Sequence, residues 1–94
     1  MAVYAIVHVD VHDDAEYAKY AALAGPAVVK YGGEFLARGG ETVAMEGRAR
    51  ARNVIVRFKD MDTAKTFYNS PEYQEAMSHG IPASTREYMF VEGV

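Results

Sequence analysis

The sequence predicts an α+β domain of ferredoxin-like order, β-α-β-β-α-β, built on a four-stranded antiparallel sheet. Three observations carry that expectation. Residues 2–11 alternate between an apolar and a mixed set of side chains, the period of a strand covered on one side. Tyr17, Tyr20, Ala21, Ala24, Val28 and Tyr31 recur at steps of three and four, which marks one buried helical stripe. Two further strand-like runs, Asn53–Lys59 and Arg86–Glu92, flank a second helical region.

Taken in order, Val3, Ala5, Val7, Val9 and Val11 share the face of the first strand that packs under helices. Tyr4, Ile6, His8 and Asp10 share the other. Asp13-Asp14 starts the first helix, since acidic side chains accept the free N–H groups and oppose the dipole. Pro26 lacks a donor and clashes with the preceding turn, so a kink or break is expected near Gly25. Gly32-Gly33 ends the segment as a glycine cap. Glu34–Arg38 reads as a short strand, Gly39-Gly40 as a turn or bulge, and Thr42–Glu46 as a continuing strand or small hairpin. Gly47 and the arginine-rich stretch after it make the next turn, and Val54, Val56 and Phe58 share one face of the strand that follows. Asp62 is the expected N-cap of a helix over 63–69, and Ser70-Pro71 restarts it with serine as cap and proline first. Tyr73, Ala76 and Met77 form its stripe, and Gly80-Ile81-Pro82 is expected to stop it.

Two split β-α-β units of this kind put both helices on one face of the sheet. The opposite face would carry Tyr4, Ile6, Leu36, Ile55, Met89 and Val91, too apolar a set to leave wet. A second copy packed sheet to sheet about a twofold axis is the simplest cover, so a homodimer is expected.

Composition narrows the function classes. Ninety-four residues, half of them hydrophobic, read as a single domain over 1–94. With no cysteine, disulfides, thiolate-zinc sites, iron–sulfur clusters and a cysteine nucleophile are excluded. No apolar run approaches the roughly 20 residues of a membrane helix, and the start lacks a basic signal-peptide region, so a cytoplasmic protein without membrane contact is expected. The net charge is −3. The densest basic cluster, Arg48, Arg50 and Arg52, reads as a solvated turn and strand edge, without the stacking aromatics of a nucleic-acid surface. His8 and His12 are too far apart along a strand for a simple chelate, and no nucleophile elbow or phosphate loop is present. Neither a metal nor another cofactor is expected.

The polar residues left are few. His8, mid-strand on the mixed face, is either a general acid–base or a hydrogen-bonded structural histidine. Arg38, read on the face of Leu36, and Arg57, read on the side of His8, would bind a carboxylate or phenolate. Otherwise they would pair with Asp10, Glu34 or Glu87. Tyr17, Tyr20, Tyr68 and Tyr73 are core residues or the lining of a ligand pocket between helices and sheet. His79 is expected to complement a helix C-terminus, and His12 to be exposed.

The run Tyr31-Gly32-Gly33-Glu34-Phe35-Leu36-Ala37-Arg38-Gly39-Gly40 resembles the bacterial family known as domain of unknown function 1330. So do Glu46-Gly47, Asn69-Ser70-Pro71-Glu72-Tyr73-Gln74 and the closing Val91-Glu92-Gly93-Val94, and together they span essentially the whole chain. The resemblance implies the dimeric α/β-barrel superfamily, in which two ferredoxin-like sheets pack face to face. That superfamily includes cofactor-independent monooxygenases, muconolactone isomerases and haem-dependent peroxidases, and the family offers no catalytic residues to carry over. Phe67-Tyr68 stands where an aromatic pair, often with tryptophan, is expected. Three readings follow: a homodimer binding a small organic ligand, a cofactor-independent monooxygenase or isomerase on a phenolic or keto-acid substrate, and a non-catalytic interaction module. In the enzyme His8 would be the base, with Arg38 or Arg57 steadying the anion. For haem, nothing in the spacing marks an axial histidine.

Overall fold

The computed structural model describes residues 1–94. Strand β1 (Val3–Val11) leads into helix α1 (Asp14–Lys30), then strands β2 (Glu34–Arg38) and β3 (Arg52–Phe58). Helices α2 (Met61–Tyr68) and α3 (Pro71–Ala83) follow, and β4 (Ser84–Glu92) closes the order. The sheet runs β2-β3-β1-β4 with every neighbour antiparallel, the arrangement that two interleaved split β-α-β units produce.

Strand β1 lies at the centre, and its alternation is the cleanest in the chain. Val3, Ala5, Val7 and Val9 are at most 5% exposed under the helices, while Tyr4, Ile6, His8 and Asp10 point the other way and are half-buried. Val56 and Phe58 of β3 continue the inner face. Phe67 of α2 is fully buried against the Phe58 and Tyr73 rings, at 5.2 and 4.6 Å between centroids. Burial of such a ring contributes about 1.5–3 kcal/mol.

Several expectations give way to local physics. Pro26 does not break α1, which runs unbroken from Asp14 to Lys30. The proline and Ala22, whose carbonyl it leaves without a helical donor, both lie on the exposed side, so that oxygen is not buried unpaired. Pro82 is likewise exposed, and α3 continues through it to Ala83. Gly80 is therefore not a terminator. It is buried against α1, and a Cβ there would sit 2.5 Å from the Tyr20 ring, so glycine lets the two helices approach. The N-cap of α2 is Asp60 rather than Asp62, because Asp60 is the carboxylate placed to accept from Thr63 N at 2.8 Å. Ser70 caps α3 as expected, accepting from Tyr73 N. Thr42–Glu46 forms neither strand nor hairpin: residues 39–51 make an exposed connection without regular structure.

The C-terminal turn of α1 is tied to the first turn of α3. Glu72 accepts from Lys30 and, at 2.9 Å, from the Tyr31 hydroxyl. Its carboxyl is held down to about 2, first by Lys30, then by its own backbone N–H and by Tyr31. A folded value below the ordinary 4.5 means stabilisation that is complete above that pH and lost as the pH falls towards 2. Glu72→Gln should therefore flatten the acid limb of the stability–pH profile in that window and leave its shape near neutrality unchanged. Thermal unfolding followed by circular dichroism across the acid range checks this, and an acid limb identical to that of the parent protein would refute the assignment.

Candidate functional site

The two faces of the sheet carry different chemistry. On the outer face His8 and Asn53 pair across β1 and β3, with His8 Nδ1 2.7 Å from Asn53 Oδ1. Asn53 also donates to Arg50 O and to Thr42 Oγ1, which pins the 39–51 connection over the sheet. Arg50 spans two strands: Nη1 donates to Asp10 of β1 at 2.5 Å, while Nε and Nη2 grip both oxygens of Glu87 on β4 at 2.7 and 2.8 Å. This bidentate geometry is the strong form of an arginine–carboxylate contact. It holds the Glu87 carboxyl below its ordinary value, whereas Asp10 is lowered first by the Ala51 N–H and then by Arg50. The resulting open trough, of about 840 Å³, is walled by these paired groups together with Arg48, Ala49 and apolar side chains such as Ile6 and Ile55.

The inner face encloses a tighter space between the sheet and the paired helices α1 and α3. A cavity of about 40 Å³ is lined by Tyr17, Tyr20, Tyr73 and Tyr88, by Arg38 and Arg52, and by apolar side chains including Val7, Val54 and Phe35. The Tyr20 and Tyr73 hydroxyls lie 2.9 Å apart, and Arg86 Nη2 donates to Tyr73 Oη at 3.1 Å. Burial pushes the Tyr73, Tyr88 and Tyr17 phenols up, so all three are neutral at physiological pH. At Arg86 burial alone would lower the pKa, but the Tyr20 and Tyr73 hydroxyls outweigh it and the net direction is up. Arg86 is therefore charged at neutral pH, with the faces of Tyr20 and Tyr88 at 4.8 and 5.7 Å from its guanidinium carbon.

The candidate residues divide between these regions. His8 and Arg57 are on the outer face, but Arg57 opposes Tyr4 while His8 opposes Asn53. Four residues of strand separate them, about 13 Å, so they do not form one site. Arg38 is not on the face of Leu36. A bulge between Phe35 and Ala37 inserts one residue and turns Arg38 inward, over the Phe35 ring at 4.1 Å and against α1, where a Cβ on Gly25 would meet Nη2 at 2.7 Å. His8 and Arg38 thus lie on opposite sides of the sheet. Neither Arg38 nor Arg57 pairs with a carboxylate: Asp10 and Glu87 are held by Arg50, and Glu34, although opposite Arg57 across β2 and β3, forms no ion pair with it. Tyr17, Tyr20 and Tyr73 line the cavity; Tyr68 lies outside it, in a surface groove with Arg86 and Tyr88.

His79 pairs with Glu16 of α1 at 2.5 Å rather than with a helix C-terminus, and exposed His12 contacts Thr85. The arginine cluster is not simply a solvated turn: Arg48 is exposed, Arg50 is the outer-face clamp, and Arg52 enters the cavity. Arg52, Arg86 and Tyr88 are the functional candidates that sequence reasoning missed. Extending the alternation of Val54, Val56 and Phe58 back by two, and of Phe90 back by two and four, would have found them. Nowhere do three or more His, Asp or Glu residues converge in a way that would hold a metal ion.

Strand order, helix placement and the inner cavity define a ferredoxin-like α+β protein with its enclosed space between helices and sheet. The chain belongs to the DUF1330 family, a domain of unknown function whose family model matches residues 2–94. No curated protein matches it. Among solved structures it is similar to a protein of unknown function from Rhodopseudomonas palustris, with a TM-score of 0.80 at 16% identity over 99% of this chain and 82% of that one. It is also similar to SnoaB, a cofactor-independent oxygenase from Streptomyces nogalater, with a TM-score of 0.67 at 16% identity over 99% and 93%. A dimeric protein of unknown function with a ferredoxin-like fold from Bacteroides fragilis matches with a TM-score of 0.61 at 18% identity over 98% and 96%. At such identities the likeness is one of fold. No helix is long and apolar enough to cross a membrane.

The outer clamp makes a direct prediction. Arg50→Gln should free the 39–51 connection, so that limited trypsin digestion cuts after Arg48 several-fold faster and the Ala51 amide, bonded to Asp10, loses protection from hydrogen exchange. Unchanged cleavage and exchange would mean that Arg50 does not order that segment.

Proposed function

We propose that the chain is a single ligand-binding domain that acts as a homodimer and takes a small organic molecule between the sheet and α1/α3. The observation that carries this reading is the inner cavity, where four tyrosines, Tyr17, Tyr20, Tyr73 and Tyr88, and two arginines, Arg38 and Arg52, line an otherwise apolar space. A few placed polar groups in an apolar lining is the usual composition of a small-molecule site. Dimerisation is supported by the outer face, where Leu36, Met89 and Val91 are 46–50% exposed beside half-buried Ile6 and Ile55. Val43 and Met45 on the adjoining connection are more exposed still. A contiguous apolar surface of this kind is normally an interface.

The enzyme reading, a cofactor-independent monooxygenase or isomerase, shares its fold with SnoaB. Its supposed base His8 is engaged with Asn53 on the outer face, away from the cavity. Only tyrosine hydroxyls are left there to move a proton, which favours binding over catalysis.

Two measurements test the proposal. A thermal-shift screen of neutral and acidic small molecules should find ligands that raise the melting temperature of the parent protein. Those shifts should vanish in Ala21→Leu, which fills the cavity mouth from a half-buried position. Shifts that survive in Ala21→Leu would place binding elsewhere. Light scattering should give a dimer, and Ile55→Glu, a charge in the middle of the outer face, should convert it to a monomer; a parent protein that is already monomeric would end the dimer proposal.

A further inference from the structure

The inner face holds an imbalance of charge. Arg38, Arg52 and Arg86 all project to the helix side of the sheet, and none of them forms an ion pair. The nearest carboxylates in the strand register, Asp10 and Glu87, belong to the outer face and are held by Arg50. Two N–H groups are buried without any protein acceptor, Arg52 Nε and Arg86 Nη1. A buried cation normally has a counterion or a full set of acceptors, because its desolvation costs several kcal/mol otherwise. Aromatic stacking on Arg38 and Arg86 occupies the faces of those guanidiniums and leaves their in-plane N–H edges to other acceptors. The neighbouring phenols are neutral and supply no negative charge.

Resting on the cavity as the ligand site, we infer that it selects a small carboxylate. Arg52 meets the anion at depth, Arg38 stands at the solvent-exposed mouth, and the Tyr20–Tyr73 hydroxyl pair, polarised from behind by Arg86, presents a further donor. Size restricts the class further. The cavity, about 40 Å³, exceeds the room one water needs. It falls well short of the roughly 150 Å³ that accepts a benzene ring, so the cavity has room for the carboxylate head of a small acid, with the rest of the molecule in the open mouth. A planar carboxylate also matches the forked donors of a guanidinium, which a spherical halide does not.

The test is an NMR titration of the full chain, following arginine Nε–Hε signals at neutral pH and constant ionic strength, with pyruvate and propionate as probes. Both acids should shift the Arg52 Nε–Hε signal saturably, and the neutral analogues pyruvamide and propionamide should not. Arg52→Gln should weaken binding about tenfold or more, as loss of a charge-assisted hydrogen bond does. Arg38→Gln, at an exposed position that tolerates change, should weaken it several-fold. Equal binding of acid and amide, unaltered affinity in both arginine variants, or the same shift with sodium chloride would each overturn the inference. Binding of neutral molecules that Ala21→Leu abolishes, with no response to acids, would leave the cavity as a ligand site and remove only its selectivity for carboxylates. Acid binding that persists in Ala21→Leu would remove both.

Discussion

The arrangement depends on one constraint, the pairing of β1 on both of its edges. Because β1 is antiparallel to β3 on one side and to β4 on the other, its register decides which residues of three strands share a face. Val9 brings Arg52 and Arg86 into one inner row; Val7 does the same for Val54 and Tyr88, and Ala5 for Val56 and Phe90. Each step from His8 to Val9 is a step from the outer polar network to the inner arginine row. A slip of one residue would exchange the two faces entirely, placing the valines in water and the carboxylates beneath the helices. The four nearly inaccessible side chains of β1 make that slip prohibitively costly.

This register also separates charge. The acidic groups near the far end of the sheet face outward, where a single arginine satisfies two of them, and Arg52 and Arg86 face inward among tyrosines. Along the inner face the character changes from wholly apolar, at Val3, Phe58 and Phe67, to phenolic and cationic at the end near Arg52 and Arg86. The first end behaves as a core. The second has aromatic area to bury but retains donors that the protein itself leaves unmet, which is how a binding site differs from a core of the same composition.

How much of this was legible in the sequence follows from which signals are local. The β1 alternation, the α1 stripe, the Ser70-Pro71 start and the strand order depend on periodicity and capping, and residues 3–11, 14–30 and 70–83 fold accordingly. Pro26 and Pro82 misled because the cost of a helical proline depends on which side of the helix it occupies, and that is decided by the packing of α1 and α3 on the sheet. Gly80 looked like punctuation but serves the contact with Tyr20, a residue sixty positions earlier. Arg38 is the instructive case: a one-residue bulge reversed its face, and nothing in Glu34–Arg38 distinguishes a bulged strand from a regular one. Arg52 and Arg86 were within reach, since they obey the same alternation as their neighbours, but charged residues at strand ends are ordinarily read as solvent-facing.

The two faces are not independent. Asn53 and Arg52 are consecutive on β3, and Glu87 and Arg86 are consecutive on β4, so these two residues of the outer network are each covalently adjacent to an arginine of the inner face. Arg50, by gripping Asp10 and Glu87 at once, fixes the spacing between β1 and β4 in the row next to the one that carries Arg86. Whatever covers the outer face therefore acts on strands whose reverse sides line the cavity, and it stiffens the frame that holds Arg52 and Arg86 in place. A cavity this small gains most from such rigidity: a shift of about 1 Å in a strand is enough to spoil the placement of a forked donor against a planar anion. An outer face that joins exposed apolar side chains to a paired polar network, and a narrow cationic inner one, are then two consequences of a single strand register.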